Sequence, residues 1–275
     1  MLSPIISSSS LQLVKEGLSK LKQRFDGARD EPYVVESRQF KALYFDSEST
    51  QSLMDVQAPL RLVVSYTETM MGFLMFHSNP KSIAMIGLGG GSLAKYCHHH
   101  LPNTSILVLE NNPKVIALKD QFHVPDNGPR FRVLEADGAE YFRNTEEQFD
   151  VLLIDGYNKF GQAAQLCSED FYASCLACLN PGGVMVINFS GKAGLNQAYQ
   201  ERIDRIFGRS SVLVMEYDRM NQILFVSNSD LLSVSSADLY KRAAILDESH
   251  EIHLPRTVQN FLTQRKVDHF QERSP

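Results

Sequence analysis

The 275-residue sequence has no block of lysine or arginine: 27 basic side chains stand against 32 acidic ones, for a net charge of −5. That balance argues against nucleic-acid binding, which needs a concentrated cationic footprint. It also has no apolar run of membrane-spanning length, so no transmembrane segment is expected. Met1 to Ser10 is serine-rich without a charged n-region or an apolar h-region, and no signal peptide is read there. Cysteine is scarce (Cys97, Cys167, Cys175 and Cys178), which suggests a reducing compartment, the cytoplasm. Cys175 and Cys178 form a C-x-x-C, but no second pair completes four ligands. They fall among the apolar positions of an expected helix, where free thiols are core residues. His98, His99 and His100 cannot converge on one ion, because successive helical residues point about 100° apart. No metal is expected.

What is present is an ordinary globular composition, 43% hydrophobic and 21% charged, in a chain long enough for one large domain with a small appendage. Apolar spacing predicts a helix over Leu11 to Phe25. Short strands are predicted at Tyr33–Ser37, Lys41–Phe45 and Gln51–Val56, as a small antiparallel unit. Residues 1–60 are thus read as a helix with a small β unit, and 61–275 as the main domain. That domain opens with a long helix from Arg61 to His77. Strands and helices then alternate: strands at Ser82–Ile86, Ser105–Glu110, Phe131–Glu135, Phe149–Ile154 and Val184–Phe189, with helices at Pro113–Phe122, Ala139–Arg143, Ser168–Leu179 and Asn196–Phe207. Ser211–Tyr217 and Gln222–Val226 are separated by too few residues for a crossover helix, so they must pair antiparallel. The expected fold is α/β: a Rossmann-like, seven-stranded, mostly parallel sheet with a terminal antiparallel hairpin. The tail from Ser235 is expected to cover the sheet or a partner.

The centre of the chain is the turn Gly87-Leu88-Gly89-Gly90-Gly91, set between two predicted strands. Glycines there let the backbone turn tightly and let a ligand pack directly against it. Three acids follow at the ends of three successive strands: Glu110, Asp137 and Asp155. In an open parallel sheet such ends line one crevice. The ligand that suits them is a nucleoside bearing a sulfonium, with Glu110 on the ribose hydroxyls, Asp137 near the adenine amino group and Asp155 facing the chain that carries the reactive carbon.

The segments Gly87–Gly91, Val108–Pro113, Glu135-Ala136-Asp137-Gly138-Ala139 and Asp155–Gln162, continued by Ser168–Tyr172 and Asn180-Pro181-Gly182-Gly183, resemble the spermidine synthase (polyamine aminopropyltransferase) family. The resemblance runs from about Tyr33 to Val226. It implies transfer of an aminopropyl group from decarboxylated S-adenosylmethionine to an amine acceptor, leaving methylthioadenosine. It also implies cofactor contacts from Gln51, Gly87, Gly89, Gly91, Glu110, Asp137 and Gly138, and substrate contacts from Tyr66 and Glu68. The family's Asp-x-x-Asp falls on Asp155 and Asn158, which the resemblance marks as the catalytic pair. Family members commonly form homodimers or tetramers, so a homo-oligomer, most simply a dimer, is expected. Three positions depart from the pattern: Gly90 replaces an acid in the glycine loop, Asn158 replaces the second acid, and Thr67 replaces a histidine. An amide cannot take up a proton at neutral pH, and fewer acids weaken attraction for a cationic amine. Two other readings therefore stand beside the first: a methyltransferase using intact S-adenosylmethionine, and a non-catalytic nucleoside-binding protein on the same fold. A nicotinamide dehydrogenase is disfavoured by the terminal hairpin.

Overall fold

The computed structural model describes residues 31–45, 50–158, 161–190, 193–208, 211–216, 221–250 and 252–271. The helix predicted over Leu11 to Phe25 lies outside these residues. Three strands, β1 (Tyr33–Glu36), β2 (Phe40–Tyr44) and β3 (Thr50–Asp55), form an antiparallel sheet in that order. Alternation gives this sheet two buried faces. Phe40, Ala42, Tyr44 and Leu53 pack with Val35 and Val63 in a small core, while Leu43 and Met54 join the large core of the main sheet.

That sheet has seven strands in the order β11-β12-β10-β7-β4-β5-β6. They are β4 (Ser82–Ile86), β5 (Ser105–Glu110), β6 (Phe131–Glu135), β7 (Phe149–Ile154), β10 (Leu179–Ser190), β11 (Ser211–Met215) and β12 (Asn221–Ser227). Its central strands read as continuous apolar runs because both faces are covered. Ile83, Met85, Val108, Val151, Leu153 and Val186 face one core; Ala84, Ile86, Leu107, Leu152, Ile154 and Ile187 face the other. β12 runs antiparallel to both β10 and β11, which is the expected terminal hairpin.

One face is covered by α1 (Ser65–Met70), α2 (Ser92–His100), α7 (Ser236–His250) and α8 (Pro255–Gln271). Leu239, Ala243, Leu246, Val258 and Phe261 bring the tail onto this face, so it covers the sheet. The other face takes α4 (Gly138–Asn144), α5 (Glu169–Ala177) and α6 (Ala193–Phe207), through Phe142, Phe171, Tyr172, Cys175, Ile203 and Phe207.

Two helices differ from expectation. The helix predicted from Arg61 to His77 begins at Ser65 and tightens to a 3₁₀ turn over Met71–Met75. The helix predicted over Pro113–Phe122 is one α turn, α3 (Pro113–Ile116), and a separate 3₁₀ turn at Lys119–Phe122. The Asn180–Gly183 segment is carried within β10 as a register shift between Leu179 and Val184. The four cysteines are buried, and burial pushes the thiols of Cys97, Cys175 and Cys178 up, away from thiolate chemistry. Among the described residues no group of histidine, cysteine or acid side chains could hold a metal, and no helix is long and apolar enough to cross a membrane.

Candidate active site

Strand order reverses between β4 and β7, and open α/β sheets take ligands at the carboxyl ends beside such a reversal. The chain leaves β4 through Gly87 at φ +95°, where a Cβ would collide with the Asp155 carbonyl. Only glycine lets β4 turn this close to the end of β7. Gly89, at φ +52°, is different: the nearest atom to a Cβ there is Cβ of Ser52 at 3.9 Å, so bare backbone faces open space. Gly91 caps α2 against Val124, and Gly138 opens α4 against the Ile86 side chain. These two serve close packing.

Glu110 ends β5 and is 8% exposed. Its Oε2 accepts from the Leu88 amide at 2.9 Å and its Oε1 from the Asn112 amide at 2.9 Å. One carboxylate thereby ties the glycine loop to the loop after β5. Since a carboxylate has about four lone-pair sites, both oxygens can still accept from a ligand hydroxyl. Asp137 lies just past β6. Its Oδ1 accepts from the Ala139 and Glu140 amides at 2.8 and 3.0 Å, capping α4, and its Oδ2 accepts from Gln165 Nε2 at 3.1 Å. Asp137, expected only at a ligand, therefore starts a helix as well.

Asp155 follows β7 directly. Tyr66, on α1, donates its hydroxyl to Asp155 Oδ2 at 3.0 Å, and Asn188, near the end of β10, donates its Nδ2 to Oδ1 at 2.8 Å. The Asn188 carbonyl in turn accepts from the Tyr157 hydroxyl at 2.6 Å. Burial pushes the Asp155 carboxyl up to about 6, and its bonds to Asn188 and Tyr66 favour the charged form and oppose that rise. Burial and the neighbouring Asp155 charge drive the Tyr66 phenol well above its usual range. Glu68 follows on the same helix, with electrostatic neighbours of its own. Burial first, then the Glu216 charge, push its carboxyl up to about 7; Arg61 opposes and Asp247 adds to the shift.

Gln51 is half-buried in β3. Its neighbour Ser52 reaches over the glycine loop: a Cβ at Gly90 would stand 2.6 Å from Ser52 Oγ and 3.0 Å from the Phe122 ring. The place where the family carries an acid is thus filled from β3. Asn158 pairs with Gly161 in a hairpin of two-residue strands, β8 (Tyr157–Asn158) and β9 (Gly161–Gln162), that follows Asp155. Thr67 is buried and turns its hydroxyl back to the Val64 carbonyl at the start of α1.

Sequence reasoning missed Asn188 and Lys95. Each is a polar residue flanked in sequence by buried apolar ones, Ile187 and Phe189 for Asn188 and Ala94 and Tyr96 for Lys95, which is the available signal. Lys95 is 2% exposed and donates to the Phe122 carbonyl at 2.7 Å, beside the sulfur of Met54 at 3.2 Å; burial lowers its ammonium to about 8.

The chain is similar to known proteins in sequence and in fold. A polyamine aminopropyltransferase from Chromobacterium violaceum is 37% identical over 181 residues, spanning 66% of this chain and 69% of that one. Among solved structures, a spermidine synthase in complex with the transition-state analogue AdoDATO superposes with a TM-score of 0.66 at 20% identity, covering 87% of this chain and 88% of its own. Human methyltransferase-like protein 13, in complex with SAH, gives 0.63 at 21% identity, over 68% of this chain and 93% of its own. At such identities the two structures speak for the fold, which both chemistries share. What separates them is sequence: the spermine/spermidine synthase domain matches residues 63–218, the span that holds Tyr66, the glycine loop, Glu110, Asp137, Asp155 and Asn188. By that match, and by its relatives, this chain belongs to the spermine/spermidine synthase family.

Proposed function

We propose that the protein is an aminopropyltransferase that moves the aminopropyl group of decarboxylated S-adenosylmethionine to an amine acceptor. The observation that carries this reading is Asp155, a half-buried carboxyl held by Tyr66 and Asn188 beside the glycine loop. An alkylammonium has no lone pair near neutral pH. Asp155, raised to about 6, is ionised at pH 7 yet a stronger base than an ordinary carboxylate, so it can take the acceptor's proton. The freed lone pair then forms the new nitrogen–carbon bond as the carbon–sulfur bond breaks. The electron pair goes to sulfur, which leaves as the neutral thioether of methylthioadenosine, and the proton on Asp155 passes to solvent.

In this reading Glu110 binds the ribose and Gly89 leaves bare backbone for the nucleoside, while Gly87 and Gly91 hold the loop in the shape that presents it. Asp137, Gly138 and Gln51 complete the nucleoside contacts. Tyr66 orients Asp155 and, with Glu68, lines the acceptor side. Asn158 is left an orienting role, because an amide takes up no proton. Methyl transfer from intact S-adenosylmethionine is the weaker reading, since the relatives carry aminopropyltransferase names. A cytoplasmic homodimer is the state proposed with it, from the resemblance alone; sedimentation of the purified protein tests the dimer.

The deciding experiment is calorimetric titration with S-adenosylmethionine, its decarboxylated form and methylthioadenosine, followed by an amine screen that reads methylthioadenosine release. Preference for the decarboxylated form together with amine-dependent release supports the reading. Preference for the intact cofactor transfers the assignment to methyl transfer, and binding of none of the three removes the enzyme assignment.

A further inference from the structure

Asn188 is 3% exposed, yet its Oδ1 has no hydrogen-bond partner and is shut off from solvent. Its other polar atoms are used: Nδ2 donates to Asp155 Oδ1 at 2.8 Å, and the backbone carbonyl accepts from Tyr157 at 2.6 Å. The orientation of the amide is fixed by chemistry, since a flip would set its oxygen against a carboxylate oxygen with no proton between them. A buried acceptor left open is costly and uncommon in a native structure. Here it lies on the same amide that holds Asp155. Tyr66 caps the second oxygen of Asp155, so the carboxylate is pinned from both sides. An acceptor beside such a carboxylate suits a ligand that carries several N–H donors on one nitrogen, which is what a primary amine or ammonium offers.

We propose that Asn188 is an amine-binding residue: when the acceptor enters and uncovers it, its Oδ1 accepts an N–H from the reacting nitrogen while its Nδ2 holds Asp155 in place to take the proton. This rests on the aminopropyl-transfer reading and adds to it. The chain has an amide at 158 and no acid at 90, and Asn188 supplies the second acceptor for that nitrogen from β10. One proton passes from nitrogen to Asp155, while the N–H facing Asn188 stays on nitrogen and fixes the direction of the lone pair.

The test is Asn188→Leu, with the same branching and number of heavy atoms but no polar ones, and Asn188→Ala as a smaller second variant should the first fail to fold. Methylthioadenosine affinity serves as the check that each variant keeps its nucleoside site. A primary diamine, 1,4-diaminobutane, is the probe for direct calorimetric binding and for turnover. The expected result is a loss of about tenfold or more in diamine affinity and a matching rise in KM, the scale of one hydrogen bond to a charged group, with nucleoside affinity within about twofold. The acid limb of kcat/KM is expected to move to higher pH, because Asp155 loses a donor that favours its charged form; Tyr66 still faces it from α1, and Tyr157 stands behind the Asn188 carbonyl. Diamine binding and a pH profile equal to the parent's, in a variant that still binds methylthioadenosine, overturn the proposal. If the parent binds the diamine but never releases methylthioadenosine, the aminopropyl reading falls while the binding comparison still judges Asn188. If the parent does not bind the diamine at all, both fall.

Discussion

Tyr66 and Asp155 lie 89 residues apart in the chain and meet through one 3.0 Å hydrogen bond, phenol to carboxylate. The bond links α1, the first helix of the main domain, to the end of the strand beside the reversal in strand order. It acts on the reaction through a proton balance. Accepting from Tyr66 favours the charged form of Asp155 and opposes the rise that burial causes. Tyr66→Phe should therefore raise the Asp155 carboxyl and shift the acid limb of kcat/KM from near 6 to higher pH, lowering turnover at pH 7 by several-fold. Rate profiles of parent and variant from pH 5 to 9 check this, and superimposable acid limbs would free Asp155 of any dependence on Tyr66.

Replacing the base itself should cost far more. Asp155→Asn keeps the shape and can still meet Tyr66 and Asn188, but it cannot take up a proton. Turnover is expected to fall by about 10² to 10⁴, the usual range for loss of a positioned base, with methylthioadenosine affinity nearly unchanged. Unchanged turnover in this variant would remove Asp155 from the proton transfer.

The glycines of the loop should separate into two kinds by experiment. Gly89 faces open space but lies at φ +52°, so Gly89→Asn, a side chain that tolerates left-handed backbone, is expected to abolish methylthioadenosine binding in calorimetry while shifting Tm only modestly. Gly87 turns beside the Asp155 carbonyl at φ +95°, so Gly87→Ala is expected to destabilise the fold by about 1–3 kcal/mol, the scale of an enforced backbone conformation. Equal effects of the two on Tm and on binding would show that the loop has been divided wrongly.

Stability should depend on pH through Glu68. Its folded carboxyl titrates near 7 against an ordinary 4.5, so the folded chain holds this proton more tightly than the unfolded one. The stabilising contribution is complete below about 4.5 and is lost as pH rises through 7; Asp155 acts with the same sign up to about 6. Glu68→Gln should flatten the fall in Tm between pH 5 and 8 and make the chain more stable than the parent at pH 8, by on the order of 2 kcal/mol. Thermal unfolding at four pH values decides the matter, and a parallel pair of curves would detach Glu68 from the effect.

The strands were legible because apolar runs buried on both faces have no other reading: Ser82–Ile86 and Ser105–Glu110 fall on their predicted ends. The antiparallel pairing of β11 with β12 followed from chain length alone. The helix from Arg61 was read too long because its apolar residues continue through Met75 while its hydrogen bonding has already tightened to a 3₁₀ turn. In the site, the strand-end acids and the glycine loop could be read as local pattern. Asn188 could not, because its meaning depends on β10 lying beside β7, a relationship of the folded sheet. Ser52 was invisible for the same reason: nothing local connects β3 to the glycine loop.

That last contact makes positions 52 and 90 interdependent. An acid introduced at 90 alone would be placed against Ser52 Oγ and the Phe122 ring, and both side chains would have to give way before it could meet a ligand. The same acid arriving after Ser52→Gly would find the serine side chain gone and only the ring to move. The effect of one substitution thus takes its size, and even its sign, from whether the other came first. A charged side chain at position 90 is thus most easily accommodated when the change begins in the small N-terminal sheet.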